Sequence, residues 1–201
     1  MGVNAVGGLI GAVGDAGAGL MGRAGYIFGA HASGTVTGSS YVGGLVGELH
    51  AADMRNSYST GNVTGSNGVG GLVGYNTNSI DGSYATSNVT SISSGSSIGG
   101  LVGLNGDGST SNVAISNSYS AGLVNGNSGS YTGGLVGTNN KGSISNSYST
   151  SIVNGNNYVG GLVGQTNSGA ITSSHATGRV TATGYLAGGL IGYNGNGNNT
   201  D

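Results

Sequence analysis

The side chains able to do acid–base or metal chemistry are few: His31, His50 and His175, with Asp15, Glu48, Asp53, Asp81, Asp107 and Asp201. Catalysis needs such groups to converge on one point, and a metal needs several at ligand spacing. No pair has the spacing of a zinc-peptidase helix. Only Glu48, His50, Asp53 and Arg55 lie close together in the chain, and mixed charges of that kind read as a local corner salt bridge rather than a metal or catalytic site. His31 and His175 occupy a place in a repeat that elsewhere holds Tyr, which gives them a structural reading. The Gly-rich turns invite a phosphate-loop interpretation, but no G-K-[ST] follows them and no helix receives the phosphate. Asp is too sporadic for calcium-binding repeats, which need it at a fixed position. The sequons at Asn62, Asn88 and Asn198 are expected by chance in an Asn/Ser/Thr-rich chain. The chain therefore reads as no enzyme, with no cofactor and no metal.

Composition narrows the class further. Of 201 residues, 47 are Gly, none is Pro, Cys or Trp, and one is Phe, so any core is thin. Charged residues are 5% of the chain, against roughly 25% in an ordinary soluble domain. With four Lys or Arg and a formal net charge of −2, neither nucleic acid nor an acidic membrane surface is an expected partner. No apolar run approaches the roughly 20 residues of a membrane span. The lack of Cys leaves the redox compartment open. Met1 to Gly11 lacks the basic region and cleavage site of a signal peptide, so an export signal, if used, is expected to be removed or to lie outside this sequence. The Gly, Ser, Asn and Thr content alone suggests a flexible chain. Against that, the apolar residues recur in short clusters.

Those clusters form a repeat. The pentapeptide G-G-L-[VI]-G begins at Gly7, Gly43, Gly70, Gly99, Gly133, Gly160 and Gly188, with a basic unit of 27 to 29 residues and two enlarged copies. A second landmark follows in each unit: Asn56-Ser57-Tyr58, Gly82-Ser83-Tyr84, Asn117-Ser118-Tyr119, Asn146-Ser147-Tyr148 and Ser173-Ser174-His175, with His31 at this place in the first unit. A third is centred on Val36, Val63, Val89, Val124, Val153 and Val180. The extra residues fall between the first two landmarks, in Ala12 to Tyr26 and Gly106 to Val113, and read as loops from one corner. The chain divides into an atypical capping first unit (1–42), five regular units (43–187) and a truncated last unit (188–201) of a single repeat domain.

Three short segments per unit, separated by turn-forming Gly, Asn and Ser, read as three strands per turn. In Ser143 to Thr150 alternation puts Ile144, Asn146, Tyr148 and Thr150 on one face. One unit of this size cannot bury an apolar face alone, so the units must stack, about 4.8 Å apart if their strands pair in parallel. The expected fold is all-β, a parallel β-solenoid (β-helix) of about six to seven coils. Identical positions then form columns. Leu45, Leu72, Leu101, Leu135, Leu162 and Leu190, led by Leu9, form one. Tyr58, Tyr84, Tyr119 and Tyr148, flanked by His31 and His175, form another, read as core in preference to the alternative of an outward row that stacks on sugar rings. Asn76, Asn105, Asn139 and Asn194 form a third that bonds between coils, imperfect in the sixth unit because Asn167 comes one residue late. In Val159 to Gly164 both strand faces carry apolar groups, which leaves three solutions: glycines that bend the strand, an exposed apolar stripe, or a second layer.

G-G-L-V-G followed by N-S-Y-S-T-G-x-V-x-G resembles the GLUG motif, a short repeat of bacterial surface proteins that include filamentous-haemagglutinin-like adhesins and IgA-cleaving metallopeptidases. The resemblance covers Gly7 to Gly192 and implies a secreted or cell-surface context. The H-E-x-x-H helix of the peptidase relatives is absent, so the resemblance extends at most to their non-catalytic repeat region.

The leading functional expectation is a structural or adhesive module, with self-association end to end, or contact with other surface proteins or glycans, as its partners. The alternative is binding of an ordered surface, glycan or ice, through a flat face. Thr37, Thr64, Thr90 and Thr181 form the candidate rank, interrupted by Asn125 and Asn154. Outward Thr and Tyr over buried Leu and Val would favour ligand binding. An outward apolar stripe would favour assembly.

Overall fold

The computed structural model describes residues 4–14, 25–50, 52–109 and 113–195. Over these residues the chain is all-β without a helix, and none is long and apolar enough to cross a membrane. The strands stack as a parallel β-solenoid, as the repeat requires. Each of the first six coils contributes one strand to each of five sheets. In the second coil these are Ser40–Gly43, Val46–Leu49, Asp53–Arg55, Tyr58–Ser59 and Val63–Gly65. The first two sheets hold seven strands and the other three hold six. Every strand pairs in parallel with its counterpart one coil away, like residue on like residue: Val63 on Val89, Ile80 on Ile115, Tyr84 on Tyr119.

Five strands per coil replace the three expected. The segment Ser143 to Thr150 is two strands, Ser143–Ser145 and Tyr148–Ser149, because Asn146 takes φ of 48° between them. Alternation is reset there: Ile144 points into the core while Tyr148 is half-exposed. The same left-handed residue recurs as Asn56, Gly82, Asn117 and Ser173. Gly and Asn reach that conformation at lowest cost, which explains the first letter of N-S-Y.

The second break lies in the pentapeptide. A Cβ on Gly70 would lie 2.0 Å from the Val73 carbonyl oxygen, and one on Gly71 would lie 2.1 Å from the carbonyl oxygen of Gly100 in the next coil. Close backbone approach makes both glycines obligatory. The bend they permit turns Val69, Leu72 and Val73 all inward, each fully buried. Of the three solutions open to the two-faced pentapeptide, the structure takes the bent strand.

The interior has two apolar clusters. One holds the Leu column with Met54, Ile80, Ile115 and Ile144, and the other holds the Val column with Val42, Val69, Ile98 and Val159. The Leu column is continuous in its backbone: Leu45, Leu72, Leu101, Leu135 and Leu162 each donate an N–H to the next Leu carbonyl at 2.8–2.9 Å, ending on Leu190. Leu45 to Leu162 are fully buried, whereas Leu9 and Leu190, on the outermost described coils, are exposed. Full burial of each Leu contributes about 1.5–3 kcal/mol.

Two polar columns run through this interior. Asn76 donates to Asn105 and Asn105 to Asn139, both at 2.8 Å, with all three amides fully buried. In the sixth coil Thr166 takes the position, with Asn194 beyond it in register. The second column is serine. Ser118 Oγ donates to the Ser116 carbonyl at 2.6 Å and accepts the Ser83 N–H at 3.1 Å. Ser57, Ser83 and Ser147 do the same, so each turn is tied to the next. Side-chain hydroxyls thus satisfy backbone donors that the tight turn would strand. The strand breaks that bracket both enlarged loops lie at one corner, between the second and third sheets, with residues 15–24 and 110–112 of those loops outside the described residues.

Candidate functional site

The Tyr column lies on the outside of the stack, not in the core. In the fourth sheet the side chains of Ser59, Ala85, Ser120 and Ser149 point inward and are fully buried. The wall they face is the Gly-Gly bend: Ser120 Oγ donates to the Gly134 carbonyl at 2.6 Å, and a Cβ on Gly100 would meet the Ser120 Cβ at 3.0 Å. Only a methyl or hydroxymethyl group fits in that gap, so the rings turn outward. There His31, Tyr58, Tyr84, Tyr119, Tyr148 and His175 form one unbroken stack with centroids 4.8–5.3 Å apart and planes within 7° of parallel. Burial raises the Tyr119 phenol above its ordinary value, and the flanking Tyr84 and Tyr148 push the same way. Because each inner ring is covered on both faces, the column offers solvent only ring edges and hydroxyls.

The fifth sheet carries the Thr rank. Thr37, Thr64, Thr90, Asn125, Asn154 and Thr181 follow one another in register. None of the six is buried, while the Val preceding each of them in the chain packs in or against the second apolar cluster. The interruption by two Asn is therefore a change of side chain, with no break in the face.

Beside those two Asn the surface is hollowed. An open groove of about 580 Å³ is lined by Asn125, Asn127, Ser128, Asn154, Gly155, Asn156 and Thr183, from three successive coils. Thr183 Oγ1 donates to Asn156 Oδ1 at 3.4 Å, and Asn125 Oδ1 accepts the Asn127 N–H at 3.1 Å. The Asn154 amide has no hydrogen-bond partner among the described residues. No lining residue is charged. Asn127, Ser128, Asn156 and Thr183 were not singled out from sequence; the signal was the recurrence of Asn125-Gly126-Asn127 and Asn154-Gly155-Asn156 at one corner of successive units.

Among the described residues the charged side chains do not assemble into a centre. Glu48 Oε2 lies 3.0 Å from His50 Nε2, and His50 Nδ1 lies 3.1 Å from Thr77 Oγ1. The Tyr75 ring meets His50 edge-on at 4.9 Å. Burial first, then the charges of Asp107, Tyr41 and Glu48, push the Tyr75 phenol up to about 12. Arg55 lies over the Tyr26 ring, 4.9 Å from its centroid, and Asp53 accepts the Ser79 N–H at 3.3 Å. In place of one four-residue cluster there is a Glu48–His50 contact, with Asp53 bonded to Ser79 and Arg55 over Tyr26. Hydrogen bonds from Ser116 and Asn117, both 2.7 Å, hold the Asp81 carboxyl below its usual range. Among the described residues no three His, Asp or Glu side chains are grouped to hold a metal ion. Asp15, Asp201 and the Asn198 sequon lie outside the described residues.

The sequence model for the GLUG motif matches residues 38–64, 65–90, 128–154 and 155–181, more than half of the chain. The resemblance read from the repeat is borne out in those four stretches. The chain matches no curated protein and no solved structure.

Proposed function

This chain belongs to the GLUG-motif family, and we propose that it is a non-catalytic repeat module of a secreted or cell-surface protein, a rod that holds polar repeating faces out for adhesive contact. The observation that carries the reading is the unbroken outer column from His31 to His175, kept in register by five sheets. A stack of this kind places one chemical group at about 4.8 Å intervals, so contacts that are weak singly add along its length. The test is adhesion of beads that carry the module at graded density to host-cell and polysaccharide surfaces. Retention rising more steeply than density supports the reading. Retention no better than that of beads carrying an unrelated solenoid removes it.

A second reading, binding of an ordered glycan or ice surface, is favoured by the outward Thr and Asn of the fifth sheet. Outward polar ranks over buried Leu and Val are the pattern that favours a ligand over apolar assembly. Co-sedimentation with insoluble polysaccharides, and thermal hysteresis for ice, check it. Protein left wholly in the supernatant together with zero hysteresis would dismiss it.

A further inference from the structure

We infer that the groove between Asn125 and Thr183 is a binding site for a neutral saccharide, an inference that deepens the ordered-surface reading and rests on it for the choice of face. Its lining is four amides, two hydroxyls and the backbone of Gly155. The lining holds no cation to favour a phosphate or sulfate, no carboxylate to hold a metal ion, and no large apolar side chain to seat an apolar ligand. Paired amide donors and acceptors match the vicinal hydroxyls of a sugar, which both give and take hydrogen bonds.

Three features make the groove a built site. Asn125 and Asn154 stand on paired strands of the fifth sheet, so their side chains are placed by the ladder and not by a loop. They stand where Thr64 and Thr90 stand in earlier coils, and the exchange of a hydroxyl for an amide coincides with the opening of the groove. The Asn154 side-chain amide supplies two donors and an acceptor that no other described residue uses. The volume, about 580 Å³, is in the range of small-molecule sites. Tyr158 and Tyr185 follow groove residues Asn156 and Thr183 by two positions in the chain, and Tyr185 is 59% exposed, its ring meeting that of Tyr158 edge-on at 5.5 Å.

The experiment is an isotope-edited NMR titration of the whole chain with lactose, maltose, cellobiose and chitobiose, with a sulfated disaccharide as the charged comparison. At least one neutral disaccharide shifts the side-chain amides of Asn125, Asn154 and Asn156 saturably, with Kd on the order of 1 mM. Asn154→Thr, which restores the rank residue of earlier coils, weakens that binding about tenfold or more. Asn156→Ala, at the corner, does the same and guards against misfolding of the strand variant. The inference is overturned if none of the four sugars shifts those amides, if both variants bind undiminished, or if the sulfated sugar binds as well as the neutral ones. Co-sedimentation with insoluble polysaccharide that survives both variants overturns the groove and leaves the ordered-surface reading standing. Absence of co-sedimentation by the parent chain, together with zero thermal hysteresis, removes both.

Discussion

Ile98 and Thr132 face each other in neighbouring coils, and the hydroxyl that distinguishes the second from the Val and Ile of its column is buried without a hydrogen-bond partner. Val42, Val69, Ile98 and Val159 fill the same place elsewhere. An unpaired hydroxyl in an apolar column costs about 1–3 kcal/mol. Thr132→Val keeps the branched shape and removes that cost, so it raises stability by about 1–2 kcal/mol. Urea unfolding checks it: the midpoint rises with an unchanged slope. A lower midpoint would mean that the hydroxyl is satisfied in solution.

The amide column gives the opposite sign. Asn105→Ala removes the acceptor of Asn76 and the donor to Asn139, leaving two buried polar groups short of a partner and a cavity beside them. The loss is about 2–4 kcal/mol. Leu49, which stands in register with Asn76 at the head of the column, shows that Leu fits the space one coil earlier. Asn105→Leu therefore fills the cavity but still orphans both neighbours. It recovers only part of the loss, and equal stability of Asn105→Leu and the parent would deny the column its role.

The stack itself was legible in the sequence because Leu and Tyr recur at coupled spacing, and stacking is the arrangement that lets every copy bury the same face. The orientation of Tyr148 was not legible. It depends on Gly134 of the coil's opposite wall leaving room only for Ser149, a contact between residues 15 apart. The fivefold division of the coil was hidden for a related reason. The left-handed turn at Asn146 preserves the appearance of alternation in the letters while reversing the side of the chain that faces inward. The groove was illegible as a groove because its lining comes from three coils. Its Asn-Gly-Asn runs were visible, but they read as ordinary turns.

The left-handed column makes a prediction about the first letter of N-S-Y. Asn146 has φ of 48°, and Gly82 holds the same place with φ of 58°. Asn146→Gly is therefore tolerated, changing stability by less than about 1 kcal/mol. Asn146→Val puts a β-branched residue into that conformation and costs about 1–2 kcal/mol or more. Thermal melts followed by circular dichroism separate the two. Equal melting temperatures for Gly and Val would mean that the turn at Asn146 is not held left-handed.

Tyr75 contributes to the stability of the fold on the alkaline side. Its phenol is pushed up to about 12, by burial first and then by Asp107, Tyr41 and Glu48, whereas an unfolded tyrosine ionises near about 10. Between these values the unfolded chain has lost the proton that the folded chain keeps. The stabilisation is complete below about 10 and disappears as pH rises toward about 12. Tyr119 and Tyr158, both raised, act in the same direction. In a phenolate absorbance titration Tyr75 belongs to the last step, and Tyr75→Phe removes it. The same variant flattens the fall of the urea midpoint at high pH. An unaltered late step in Tyr75→Phe would show that the ring beside His50 is not the group that resists ionisation.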